Sequence, residues 1–122
     1  MKNIAMTIEQ RIRAAWIIGQ ERGNVSQMRS LLFILDKIEL SKEEKKNIKL
    51  EELQGGALKW GEDDASQKAL RSKKAISFEN DEANKLKELL VNFKGISAFD
   101  LKNWLGPLLE QWNLDRKEKG DE

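Results

Sequence analysis

Few residues in this chain could do chemistry. It has no Cys and no His, and no Tyr either. That removes thiolate nucleophiles, Ser–His and Cys–His pairs, the usual base near neutral pH, and the usual ligands for a transition metal. A carboxylate pair or a Lys could still act, but no spacing selects one. The acidic run Glu62-Asp63-Asp64 offers hard oxygens of the kind that hold Mg²⁺ or Ca²⁺. It lacks the alternating Asp spacing and central Gly of a calcium loop, and adjacent carboxylates in a polar stretch are usually solvated or cap a helix. Gly55-Gly56 is followed by no Lys-Ser or Lys-Thr, so it reads as a turn and not as a phosphate loop. The expectation is a protein that is not an enzyme and uses no metal and no cofactor.

Binding has more material. Lys68, Arg71, Lys73 and Lys74 form the densest basic run, and Trp60 lies just before it. Cations with an aromatic ring could hold a phosphate backbone and stack a base. Glu62 to Asp64 and Glu79 to Glu82 bracket the run and blunt its field. The plainer reading is a wet connector before an edge strand, where Lys discourages edge pairing. The whole chain carries 22 basic and 21 acidic residues, which argues against a dedicated nucleic-acid coat. Arg11, Arg13, Arg22 and Arg29 precede all the others. Arg suits bidentate pairing, yet wet flanks of two helices are the preferred reading of these four. There are four Trp residues. Trp16, Trp104 and Trp112 fall on apolar stripes and read as core, leaving Trp60, beside Gly61, as the candidate exposed anchor.

These residues need elements to position them. Thr7 with Gln10, Asn24 with Gln27, Ser41 with Glu44 and Ser97 with Asp100 each have the spacing of a helix-start capping box. The first predicted helix carries Ile8, Ile12, Ala15, Trp16 and Gly19 on one stripe and stops at Gly23. The second, Val25 to Leu40, carries Met28, Leu31, Leu32, Leu35 and Ile38, with Phe33 and Ile34 widening the apolar arc beyond one stripe. So wide an arc predicts neighbours on several sides, making this the central helix and Leu32 a core residue. Lys2 to Met6 reads as a lead-in. Ile48 and Leu50, then Leu58 and Trp60, alternate around Gly55-Gly56 as a hairpin, and Ile76 with Phe78 adds a third short strand. Glu62 to Lys74 reads as loop or weak helix. Ala83, Leu86, Leu89, Leu90 and Phe93 mark another helix, and Leu101, Trp104, Leu105, Leu108 and Trp112 a last one, kinked or split at Gly106-Pro107.

The order gives an α+β fold: two N-terminal helices, a small antiparallel β-meander and two C-terminal helices. With 122 residues, one domain over residues 1–114 is expected, followed by a charged tail, 115–122, expected to be disordered. No apolar run is long enough to span a membrane, and Met1 to Met6 is too short and polar for a secretory signal. A cytoplasmic location is the expectation.

The segments ERGNVSQMRSLLFILDKIELSKEEKKNI, GALKW, KAISFEND and LKELL, across about residues 8–93, resemble small uncharacterised proteins of phages and prophages. Those proteins tend to carry a Pro before the Gly-Asn break, where this chain has Gln20-Glu21-Arg22. The segment SAFDLKNWLGPLLEQW lies outside the resemblance. The resemblance implies a mobile-element origin in a bacterial host and no chemistry. The resulting expectation is a phage accessory protein that inhibits or sequesters a host component such as a defence factor, with a host protein as its partner. Two alternatives remain open: a virion structural or assembly protein, which would form a homo-oligomer, and a nucleic-acid-binding module using Lys68 to Lys74.

Overall fold

The computed structural model describes residues 1–112. The tail expected at 115–122 lies outside the described residues. The architecture is α+β. It opens with β1 (Lys2–Thr7), α1 (Ile8–Ile18), α2 (Val25–Ile38) and α3 (Lys42–Asn47). A small hairpin follows, β2 (Glu51–Glu52) and β3 (Leu58–Lys59), and then α4 (Asp64–Leu70), β4 (Lys73–Phe78) and α5 (Asn80–Asn92). The last helical segment starts as α6 (Ala98–Asp100), passes through a π-turn at Leu101–Leu105, and continues as α-helix over residues 106–112.

The strands do not form one meander. β1 pairs antiparallel with β4, placing Ile4 opposite Ile76 and Lys2 opposite Phe78, while β2 pairs only with β3. The expected lead-in is therefore a core strand. Ile4 and Met6 of β1 and Ile76 and Phe78 of β4 point inward on the two-residue period. The side chain of Gln111 closes a stretch of β1 backbone: it accepts from the Ala5 N–H and donates to the Ala5 carbonyl, both at 2.7 Å. That satisfies two groups that an open strand edge would leave unpaired.

The buried apolar side chains fall into two clusters. The larger joins the inner face of the β1–β4 ladder to α2, α5 and the C-terminal helical segment. The smaller contains Ile8, Ile12, Ile48 and Leu70. α1 serves both, sending Ala14, Ile17 and Ile18 into the first and Ile8 and Ile12 into the second. It is α1, and not α2, that has neighbours on several sides. α2 buries Leu31, Ile34 and Ile38 and half-buries Met28 and Leu35, but Leu32 is 54% exposed and Phe33 64%. The wide apolar arc on α2 is thus a one-sided contact with an uncovered far side. Leu32→Ala, which a core position would put at about 2–5 kcal/mol, is expected to cost less than about 1 kcal/mol in urea unfolding.

The four expected capping boxes all form, with Thr7, Asn24, Ser41 and Ser97 as N-caps. Ser97 Oγ accepts from the Asp100 N–H and Asp100 Oδ2 from the Ser97 N–H, each at 3.0 Å. Ser97→Ala should lower stability by roughly 0.5–2 kcal/mol in chemical denaturation. α1 ends earlier than expected, at Ile18 with Gly19 as its C-cap, so Gly23 is not the stop. The interruption at Gly106-Pro107 is the π-turn. The Gly106 N–H donates to the Leu101 carbonyl, five residues back, and a Cβ at Gly106 would stand 2.4 Å from that oxygen. Pro107 brings no amide to the ladder, and the wider turn absorbs the misfit. The Trp104 carbonyl inside this turn accepts from Gln10 Nε2 at 3.0 Å, which docks the segment on α1. Leu101, expected on the inner stripe, is exposed. No described helix is long and apolar enough to cross a membrane.

Candidate functional site

The residues singled out by sequence do not converge. Lys68 lies in the last turn of α4, Arg71 is its C-cap, and Lys73 and Lys74 begin β4. All four are exposed, and none lines the cavity that Trp60 lines. Trp60 is half-buried, packed against the smaller cluster of Ile8, Ile12, Ile48 and Leu70. It is neither a bare anchor nor a member of the cluster that holds Phe78 and α2. The cation over its ring belongs to Arg13, 5.8 Å from the centroid. Glu62-Asp63-Asp64 is a helix start: Asp63 caps α4 through the Ser66 N–H at 3.3 Å and the Ser66 hydroxyl at 2.7 Å. Those bonds, with Lys49 at 3.2 Å, hold the Asp63 carboxyl down at about 2. Among the described residues, no three carboxylates gather as a metal site would require.

The structure instead surrounds Trp60 with side chains that the sequence reading assigned to core, to the hairpin or to wet flanks. Ile12, Arg13 and Trp16 lie on one side of α1. Opposite them stand Phe93, at the end of α5, Trp104, in the π-turn, and Leu58 and Trp60, from the hairpin. Together they line a cavity of about 190 Å³. Trp16 is 54% exposed although it shares a stripe with Ile12. Its ring meets Phe93 edge-on, with centroids 5.6 Å apart and planes at 81°, an arrangement aromatic pairs favour. Arg13 is steadied by Glu9 one turn back, with Nη2 at 3.0 Å from the carboxylate. On the far wall Asp100 accepts from Trp104 Nε1 at 3.3 Å. The Ser97 capping bonds come first in holding the Asp100 carboxyl below its ordinary value, so it is charged at neutral pH.

Beyond Trp16 the surface continues into a second depression of about 470 Å³ between α1, α2 and the hairpin, with Leu32, Leu35, Leu40 and Leu50 among its walls. Ile12, Trp16 and Leu58 border both hollows, which makes one continuous apolar face. Such a face can seat large apolar side chains of a partner, with Arg13 and Asp100 offering opposite charges at its first hollow. Asp100 already serves the capping box and Trp104, and among the described residues no second carboxylate lines that hollow.

No sequence signal marked the face: α1 carries two apolar sides, Ile8-Ile12-Trp16 and Ala14-Ile17-Ile18, both reach buried clusters, and Trp16 alone of these six is left half in water. Arg11, read as a wet flank, is 1% exposed. It donates to the Ile38 carbonyl at 3.0 Å, to the Glu39 carbonyl at 2.7 Å, and to both oxygens of Glu44. Compared with known proteins, the chain matches no family model, no curated protein and no solved structure.

Proposed function

We infer that this protein works by binding another protein, without catalysis, through the aromatic face of α1. The observation that carries this is the half-exposed Trp16 standing between two apolar hollows with Phe93 and Trp60 beside it. Trp is the side chain most often found to dominate protein contacts, because one rigid ring desolvates a large area at small entropic cost. The sequence resemblance to phage and prophage proteins supports the setting: a phage accessory protein that occupies, and so blocks or sequesters, a component of its bacterial host such as a defence factor. The basic run takes a lesser part, since its four exposed cations lie apart from the aromatic cavity.

Trp16→Ala is the clean test, because the residue is already half in water. Replacing the more buried Trp60 would reduce stability along with binding. Immobilised wild-type protein and Trp16→Ala are compared as baits in bacterial lysate, with thermal unfolding of both. A host protein retained by the wild type should be lost, or bound at least about tenfold more weakly, by Trp16→Ala, as truncating a hot-spot aromatic does. Equal capture by both baits, or capture of nucleic acid alone, would reject the reading.

A further inference from the structure

We propose that the outer face of α2 is a self-association surface, on which two copies of this chain pack antiparallel about a two-fold axis passing between Leu32 and Phe33. At about 100° per residue, Val25, Arg29, Leu32, Phe33 and Asp36 fall within one arc of roughly 100°, opposite the inner face formed by Leu31, Ile34 and Ile38. Three of these five are large apolar side chains in water: Val25 at 68% exposure, Leu32 at 54% and Phe33 at 64%. The other two are opposite charges. Neither the Arg29 nor the Asp36 side chain has an ion-pair or hydrogen-bond partner among the described residues. They are seven positions apart, about 10 Å along the axis, so they share a face but cannot pair with each other.

That pattern is self-complementary. An antiparallel crossing centred between Leu32 and Phe33 brings Arg29 of one copy against Asp36 of the other, and the two-fold repeats the pair. It also sets Leu32 against Phe33 twice. A closed two-fold dimer needs one patch that fits itself in this way. A parallel crossing would place Arg29 on Arg29 and Asp36 on Asp36, so the charges select the antiparallel arrangement. Residues 113–122 contain one large apolar side chain, Leu114, against the three on this face, whereas a second copy brings three of its own. A single helix about 21 Å long gives an interface at the small end of the range, so the dimer is reversible and concentration-dependent.

Sedimentation equilibrium over the micromolar to millimolar range reads the association directly. The wild type should pass from monomer to dimer. Arg29→Asp and Asp36→Arg each set like charges against each other in both pairs, and each should raise the dissociation constant at least about tenfold. An equimolar mixture of the two variants should dimerise again, because unlike charges then meet in both pairs. The double variant carrying both changes should associate like the wild type. Circular dichroism of each variant reports that it is folded. A wild type that stays monomeric throughout overturns the proposal. So does a dimer indifferent to Arg29→Asp, or a mixture of the single variants that stays monomeric. Leu32 and Asp36 also border the second apolar hollow, but Arg29 lines neither hollow, so Arg29→Asp separates self-association from partner binding.

Discussion

Arg11→Ala is expected to destabilise the fold by about 3–5 kcal/mol in guanidinium or urea unfolding, the usual cost of removing one partner from a buried ion pair. The guanidinium is buried at the junction of α1, the end of α2 and the start of α3, and it is used on every side. Two of its bonds go to the carbonyls of Ile38 and Glu39, among the unsatisfied acceptors that every helix C-terminus leaves. The others go to the two oxygens of Glu44, the N3 residue of α3, whose Oε1 also accepts from the Ser41 N–H at 2.8 Å. Removing the fork strands a carboxylate and two carbonyls at once. Arg11→Lys should recover only part of the loss, because an ammonium has three N–H donors at one point and cannot reproduce the guanidinium fork over four acceptor oxygens. Arg11→Met together with Glu44→Leu removes the stranded charge but not the stranded carbonyls, so it too should recover only part. A loss below about 1 kcal/mol for Arg11→Ala would show that the corner between α2 and α3 is held by something else.

The same pair sets a pH dependence. The Arg11 hydrogen bonds, aided by the Ser41 cap, lower the Glu44 carboxyl from 4.5 to about 2. The folded state therefore holds the ionised form more strongly than the unfolded chain does. Its contribution is fully present above about pH 4.5 and is lost as the pH falls toward about 2. Because Glu44 keeps some contact with water, the amount is on the order of 2 kcal/mol. Glu82, held low by Lys37, and Asp100, held low by Ser97, titrate in the same direction. The informative quantity is thus the difference between the wild type and Glu44→Gln across this window. The stability gap between the two should narrow as the pH drops; a gap that stays constant would mean Glu44 is not stabilised as an anion.

The features legible in the sequence are the local ones. Thr7, Asn24, Ser41 and Ser97 were readable because a capping box is a contact over three residues, complete within the pattern itself. The turn at Gly55-Gly56 was readable for the same reason: both residues adopt positive φ, 83° and 84°, which side chains beyond Gly rarely tolerate. β1 was not. It alternates only Ile4 and Met6, and its partner β4 lies some seventy residues away, so its pairing leaves no local mark. The exposure of Trp16, Leu32 and Phe33 was hidden differently. An apolar arc tells how much of a helix could be buried, whereas what reaches it depends on where other elements end. On α2 the neighbours stop at Leu31, Ile34 and Ile38. Arg11 went unread because its partners at Ile38, Glu39 and Glu44 are long-range, and a surface Arg and a buried one look alike in a helical pattern.

Phe78→Ala should cost about 3–5 kcal/mol, and the reason lies in the topology. β1 and β4 form only a two-stranded ladder, too small to be stable without a helical layer on its inner face. Phe78 ends β4 opposite Lys2, is fully buried, and belongs to the cluster that joins Ile4, Met6 and Ile76 to Leu86 and Leu90 of α5. Its ring also lies under Lys37 of α2, with Nζ 5.7 Å from the centroid, while that ammonium is paired with Glu82 of α5. The ring thus touches the point where sheet, α2 and α5 meet, and truncating it opens a cavity that three elements must shift to close. Phe78→Leu keeps most of the volume and should cost about 1–2 kcal/mol, the smaller penalty of a reshaped core. For a domain of this size the Ala variant should melt roughly 10–20 °C below the wild type. Near-equal melting of Phe78→Ala and the wild type would mean the β1–β4 ladder does not pack on the helices as described. If instead Leu and Ala cost the same, ring-specific contacts, including the one with Lys37, would outweigh filled volume at this junction.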